Sequence, residues 1–176
     1  YGRIADWSCA YIDHCAEIGV DCIHISDDWG MQNGLLFRPE VWHQYIKPAT
    51  KRIVDQAKAH GLWVSLHSDG DISSILPDVV ELGFDVCHPL QESAGVDIGW
   101  VKRTLGDRLT MYGGLDVQAT LGRLDRDGVA NEVRRVMRLV KQGGGAIFCT
   151  SHMVQPGTPI DDVLAAYDVV HQEAAY

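Results

Sequence analysis

Short apolar runs recur along this chain, and a glycine stands shortly ahead of each one, where a longer amphipathic stretch ends. Glycine accepts the left-handed backbone conformation that ends a helix, and runs of about four to eight apolar residues are typical of buried strands. The pattern predicts strands over residues 20–25, 62–66, 84–87, 109–112 and 146–149, preceded by Gly19, Gly61, Gly83, Gly106 and Gly143.

Apolar positions at helical spacing fill the intervals between these runs and predict helices over residues 6–18, 40–60, 129–140 and 163–170. Pro39 suits the first position of the second helix, and Pro48 is expected to kink or break it. Ahead of the last helix, Thr158, Pro159 and Asp161 predict an N-cap, a first-turn proline and a capping-box acid.

Strands that alternate with helices predict an α/β fold with a parallel sheet and right-handed crossovers. The candidates are an open doubly wound sheet and a (β/α) barrel, and no G-x-G-x-x-G follows the first strand to favour the dinucleotide-binding sheet. A closed barrel needs eight strands and about 250 residues. We therefore predict that residues 1–176 form one domain, the C-terminal part of a barrel with about five β-α units.

Charge and cysteine usage narrow the partners and the compartment. The 24 acidic residues outnumber the 15 basic ones, so the formal net charge is −9, which argues against nucleic acid or an anionic membrane as the main partner. No apolar run approaches the ~20 residues that span a bilayer. The 5 cysteines are scattered and form no C-x-x-C, which predicts reduced thiols in a cytoplasmic protein.

Polar side chains gather just after the predicted strands, where (β/α) barrels carry their chemistry. His67 and Asp69 are two residues apart in an extended segment, so their side chains point to the same side. With His152 after the last strand, they form a set of imidazoles and a carboxylate suited to Zn²⁺ or another divalent ion. The alternative is structural: Asp69 could orient His67 or, like Asp71, cap the next helix.

The long loop after the first strand, residues 27–38, is a second candidate region. We expect Asp28 to position substrate or shuttle a proton, although a capping role explains it equally well. For the apolar residues of this loop, packing against a neighbouring helix is an alternative to ligand contact. Gly114 could allow close approach of a ligand, but a tight turn also explains it. The predicted substrate-binding residues are Trp29, Met31, Gln32, Gly114 and Asp116.

Taken in order, these strand-end segments resemble the uroporphyrinogen decarboxylase superfamily, over essentially the whole chain. The segments are ISDDWG at 25–30, LHSDG at 66–70, HPLQ at 88–91, YGGLD at 112–116 and SHMVQPGTP at 151–159. The resemblance implies the C-terminal half of the (β/α)8 TIM barrel that this superfamily shares with cobalamin-independent methionine synthase.

The site pattern is most similar to the methylcobamide:coenzyme M methyltransferase branch, in which histidine and cysteines bind zinc. His67 matches that histidine, Asp69 replaces the first cysteine and His152 falls at the second. Gln91 or Glu92 falls near an acidic position and is a candidate further ligand. The resemblance thus implies a zinc or other divalent metal site with a harder ligand set than thiolates provide.

The resulting hypothesis is a metal-dependent methyltransferase with Asp28 and His152 as catalytic residues. The expected partners are a small-molecule substrate, a corrinoid as substrate or carried by a partner protein, and a second copy in a homodimer. One alternative is metal-free uroporphyrinogen decarboxylation in porphyrin biosynthesis, because that branch also has a histidine at the position of His152. The other is a non-catalytic barrel that binds a corrinoid or a partner protein.

Overall fold

The computed structural model describes residues 1–174, which build a parallel sheet of five strands and a separate hairpin of two. The order in the large sheet is β1-β4-β5-β6-β7, so each strand pairs in parallel with the next one along the chain and the hairpin stands apart. The strands are β1 (Cys22–Ser26), β2 (Gly30–Met31), β3 (Gly34–Leu35), β4 (Trp63–His67), β5 (Val86–His88), β6 (Thr110–Leu115) and β7 (Ala146–Thr150). The predicted α/β class and all five predicted strands are confirmed, with ends shifted by at most three residues.

Helices join the strands of the large sheet and cover its outer face. They are α1 (Gly2–Glu17), α2 (Pro39–Val41), α3 (Lys47–Ala59), α4 (Leu76–Leu82), α5 (Ile98–Leu105), α6 (Arg126–Val140) and α7 (Ile160–Glu173), with 3-10 turns at Ser73–Ile75 and Glu92–Ala94. Side chains alternate along β4: Val64 and Leu66 lie fully buried in the main core, while Ser65 and His67 point to the opposite, concave face. The alternation puts polar groups inside the partial barrel.

Pro48 does not break its helix. The chain stays helical from Pro39 to Ala59, and a π-helical turn at Trp42–Ile46 precedes the proline. The backbone N–H of Lys47 donates to the carbonyl of Trp42, five residues back. The widened turn accommodates the ring and the missing donor, so the predicted interruption is a local bulge.

The predicted cap of the last helix is wrong. The helix α7 begins at Ile160, Pro159 is its N-cap residue, and no side chain caps it. The first helix, α1, buries Ala5, Ile12 and Cys15 and leaves Trp7 67% exposed. Trp7 stacks on Tyr11 beside the strand β1, which pairs on one side only.

Among residues 1–174 no helix combines the length and the apolar character needed to cross a bilayer. All five cysteines are free thiols.

Candidate metal site

The carboxyl ends of three neighbouring strands bring polar residues into one row. Strand register places Ser26 beside His67, and His67 beside His88. The loops that follow β1 and β4 carry Asp28 and Asp69 away from the same edge. Parallel pairing thus gathers residues that are far apart in sequence, as the strand-end pattern predicted.

Two glycines allow the backbones of those loops to come into contact. A Cβ on Gly70 would stand 2.4 Å from the backbone carbon of Gly30, and a Cβ on Gly30 would stand 2.6 Å from the carbonyl oxygen of Asp69. The backbones touch only because both positions lack a side chain. The contact also brings the backbone N–H of Asp69 within 2.9 Å of Asp28 Oδ1, to which it donates.

Asp28, His67 and Asp69 form a group whose ligand-capable atoms all lie within 4.8 Å of one another. His67 Nε2 is 3.6 Å from Asp28 Oδ1 and 3.7 Å from Asp69 Oδ2, which is too long for direct hydrogen bonds. Two ligands on one tetrahedral ion with ~2.1 Å bonds are about 3.4 Å apart. The spacing therefore fits a shared divalent cation.

Asp69 supports this fit independently. Its Oδ1 atom is buried and has no hydrogen-bond partner among the described residues. A buried carboxylate oxygen without a donor is costly unless a cation or another donor reaches it. A mixed imidazole and carboxylate donor set suits Zn²⁺ and other borderline divalent ions.

His152 reaches the same place from the loop after β7. Its Nε2 lies 3.6 Å from Asp69 Oδ2, and its side chain is about half exposed. The structure thus brings together His67, Asp69 and His152, as the sequence predicted, but the tightest group contains Asp28 and leaves His152 beside it. Asp28, expected to handle substrate or protons, lies among the ligand-capable atoms of this group.

His88 contacts His67 on the Nδ1 side of its ring, away from the two carboxylates. Their Nδ1 atoms are 2.7 Å apart, their rings stack, and His88 Nε2 donates to the carbonyl of Thr150. Burial lowers the pKa of His88, against the smaller opposing effect of the Thr150 carbonyl, so the imidazole is neutral at neutral pH.

A cleft of about 540 Å³ with a mixed polar and apolar lining opens beside the metal-capable group. Met31, Gln32, Gln91, Arg123 and His152 contribute to its wall. Arg123 is the one Lys or Arg that lines it among the described residues, and its Nε donates to the carbonyl of Gln118. The cleft therefore offers amides, one guanidinium and a comparable amount of apolar surface.

Two residues predicted for the site have other partners. Glu92 forms an ion pair with Arg135 of α6, so its carboxylate is not presented to the metal-capable group. Trp29 is 1% exposed and packs on Trp42 with ring centroids 4.6 Å apart, so it anchors its loop in the core rather than lining the cleft. Its backbone N–H donates to the hydroxyl of buried Ser68.

Gly114 and Asp116, both predicted to bind substrate, serve the protein's own packing. A Cβ on Gly114 would stand 3.0 Å from Val136, so its small size lets α6 pack closely. The carboxylate of Asp116 accepts hydrogen bonds from the backbone N–H groups of Ser93, Gln118 and Ala119. These three hydrogen bonds organise the loop after β6.

Sequence reasoning missed His88, Arg123 and the amides of Gln118 and Gln155 on the cleft wall. The position of His88 at the end of a predicted strand was a usable signal, because it matches that of His67. Nothing in the local sequence marks Arg123, which reaches the cleft through the long loop between β6 and α6.

Comparison with known proteins bears on the whole chain. The family model described as "Uroporphyrinogen decarboxylase (URO-D)" matches residues 2–173. The chain is 27% identical over 179 residues to uroporphyrinogen decarboxylase of Pelodictyon phaeoclathratiforme, with 99% of this chain and 48% of that protein aligned. It is 30% identical over 171 residues to the chloroplastic uroporphyrinogen decarboxylase 1 of Oryza sativa subsp. japonica, which covers 95% of this chain and 39% of that protein. The chain therefore spans less than half the length of these relatives.

Among solved structures, a methyltransferase from Methanosarcina mazei superposes with a TM-score of 0.76 at 22% identity. The match covers 97% of this chain and 48% of the methyltransferase. It confirms the predicted fold as part of a TIM-barrel-like architecture.

Proposed function

The chain belongs to the uroporphyrinogen decarboxylase family, and from that membership we propose an enzyme that uses a divalent metal ion in methyl transfer. Asp28, His67 and Asp69 would hold the ion, with His152 as a neighbouring fourth group. The observation that carries the proposal is the shared spacing of these ligand atoms together with the unpartnered Oδ1 of Asp69.

The chemistry requires a heteroatom that releases its methyl group. The bond between that heteroatom and the methyl carbon breaks, its electron pair stays on the heteroatom, and a lone pair of the acceptor forms the new bond to carbon. A bound divalent ion supplies Lewis acidity, which polarises the donor heteroatom or lowers the pKa of a bound acceptor. His152, whose Nε2 lies 3.6 Å from Asp69 Oδ2, would give a proton to the departing heteroatom.

The cleft favours a small polar substrate with an anionic group. Two carboxylates and one divalent ion sum to zero charge, so Arg123 would leave the site with a net positive charge. Such a field attracts anions. The methyltransferase resemblance favours a corrinoid as one of the two substrates, either free or carried by a partner protein.

Metal content tests the first step. Purified full-length protein is expected to retain close to one equivalent of a divalent metal, measured by inductively coupled plasma mass spectrometry. The variants His67→Ala and Asp69→Ala should lose it, because each removes one of the proposed ligands. His14→Ala changes a histidine that is 79% exposed and belongs to no such group, so it is the matched control. Undiminished metal in both site variants would overturn the proposal.

Decarboxylation is the second candidate, favoured by the names of the relatives. In that reaction a substrate carboxylate leaves as CO₂ and a proton takes its place on carbon. Without a cation, Asp28 and Asp69 would repel a polycarboxylate substrate at this edge. Assays with uroporphyrinogen, before and after chelator treatment, separate the two candidates. CO₂ release that survives metal removal would favour decarboxylation, whereas activity that returns only with added metal would favour the proposed metal enzyme.

A further inference from the structure

Three histidines from neighbouring strands line the concave face of the sheet. Across the sheet the rings follow the order His24, His67, His88. The ring centroids are 6.2 Å apart for His24 and His67 and 4.9 Å apart for His67 and His88. Only His67 belongs to the metal-capable group. His88 therefore contacts this group from outside it. The hydrogen bonds of His88 determine how it affects His67.

The carbonyl of Thr150 fixes the proton on His88. A carbonyl oxygen only accepts, so His88 Nε2, 3.3 Å away, carries the hydrogen. A neutral imidazole has one N–H, which leaves His88 Nδ1 as an acceptor. The Nδ1 atom of His67, 2.7 Å from it, must then donate.

That donation decides the state of the other His67 nitrogen. With the hydrogen on Nδ1, neutral His67 carries its lone pair on Nε2, the atom that faces Asp28 and Asp69. We propose that His88 is a positioning residue that holds His67 in the tautomer able to bind a divalent cation through Nε2. The relay runs from the Thr150 carbonyl on β7 through His88 on β5 to His67 on β4.

His88 itself is held in place by protein contacts. Its ring lies 4.8 Å from that of Tyr112, tilted by 56°, and the register of β5 sets it beside His67. Outer partners of metal-bound histidines commonly fix ring orientation and tautomer, usually through a carboxylate or a backbone carbonyl. Here a second imidazole is interposed between the ligand and the carbonyl.

The inference rests on the proposed metal site, and two substitutions at position 88 test it. His88→Phe keeps a ring against Tyr112 but removes the acceptor for His67. His88→Asn places an amide oxygen near the position of Nδ1 and so restores an acceptor. Zn²⁺ affinity of the full chain, measured by competition with a chromophoric chelator, should fall about 10–100-fold in the Phe variant. It should recover to within about threefold of the original in the Asn variant.

A purely structural role for His88 predicts a different result, with both variants binding Zn²⁺ equally well, and that outcome would overturn the inference. Circular dichroism and thermal melting check that each variant is folded. A measurement on the unsubstituted protein covers the case in which the Phe variant does not fold. Long-range ¹⁵N–¹H NMR of metal-free protein should show His67 protonated at Nδ1 and pyridine-like at Nε2.

The opposite tautomer in that spectrum would overturn the inference even if Zn²⁺ binds. Failure of the proposed function looks different: there the protein with His88 intact shows no Zn²⁺ affinity that depends on His67. The two failures are therefore distinguishable.

Discussion

Two carboxylates at the same edge of the sheet have opposite surroundings. Asp116, after β6, accepts hydrogen bonds from two backbone N–H groups of its own loop and from one of the loop that contains Ser93. Asp69, after β4, has one buried oxygen with no partner among residues 1–174 and another that stands 3.6–3.7 Å from two imidazoles. Both residues follow a strand of the large sheet, but of the two only Asp69 has a buried oxygen without a hydrogen-bond partner.

The same contrast separates the other candidate groups at this edge. Glu92 forms an ion pair with Arg135, whereas Nε1 of buried Trp29, like Oδ1 of Asp69, has no hydrogen-bond partner among the described residues. A group whose bonding capacity is already used contributes to stability, and a buried group left unpaired costs stability unless something outside the chain pairs with it. The comparison therefore favours the loops after β1 and β4 as the place where a ligand would bind.

The largest expected effect comes from exchanging the two carboxylates for amides. Asp69→Asn should lower metal affinity by more than the ~10–100-fold typical of residues that only support a ligand. Its free energy of unfolding without metal should stay level or rise, because a like charge beside Asp28 is removed. Isothermal titration with Zn²⁺ and urea denaturation measure the two quantities.

The matched change, Asp116→Asn, should give the reverse. It weakens hydrogen bonds to three backbone amides and should reduce the free energy of unfolding by about 1–3 kcal/mol. Zn²⁺ affinity of the folded protein should change little. Equal effects of the two substitutions on metal affinity would remove the distinction between the two carboxylates.

The contact between the two site loops gives the next largest effect. Gly70→Ala places a Cβ within 2.5 Å of the Met31 backbone nitrogen at a φ of +79°. Gly61→Ala meets a similar φ of +73° but nothing within 4 Å, so it isolates the backbone cost of roughly 1–2 kcal/mol. Gly70→Ala should cost about 1–3 kcal/mol more than that, through overpacking.

The readouts are urea denaturation and Zn²⁺ titration of both glycine variants. Only Gly70→Ala should also weaken metal binding, because it pushes Asp28 away from Asp69. If Gly61→Ala weakened binding as much, the loop contact would have no special part in forming the site.

Much of the fold could be predicted because it depends on local patterns. Glycine after a helix and a short apolar run mark strands almost independently of their neighbours, and all five strands of the sheet followed. The departures come from neighbours that the sequence does not display. Trp7 is a large apolar residue in a helix, yet it stays exposed because α1 turns Ile12 and Cys15 to the core.

In the candidate site, too, some residues follow from local patterns and others depend on tertiary contacts. His67 and Asp69 followed from strand parity, a local rule, whereas the part of Asp28 depends on two glycines 40 residues apart that bring the loops into contact. His88 required the register between β4 and β5, which fixes one imidazole beside the other. Tertiary contact, rather than residue type, decides which polar groups remain unpaired.

The smallest expected effect concerns a saturated carboxylate away from the metal-capable group. Asp78 accepts hydrogen bonds from Trp42 Nε1 and Lys47 Nζ. Burial alone would raise the pKa of Asp78, but those hydrogen bonds outweigh it and hold the pKa below the ordinary 3.8. The unfolded chain therefore takes up a proton at a pH where the folded protein does not. The contribution of Asp78 to stability is present above pH 3.8 and is lost as the pH falls through the lowered pKa.

Asp78→Asn removes this titration and tests the sign. At neutral pH the variant should be less stable by about 1 kcal/mol, since a charge-assisted bond to Lys47 becomes a neutral one. Urea denaturation between about pH 7 and pH 3 should show this gap narrowing on acidification. Zn²⁺ affinity at neutral pH should not change, in contrast to Asp69→Asn. A gap that stayed constant or widened in acid would show that the Trp42 and Lys47 bonds do not favour the ionised carboxylate, and a fall in Zn²⁺ affinity would mean that saturated carboxylates also contribute to the site.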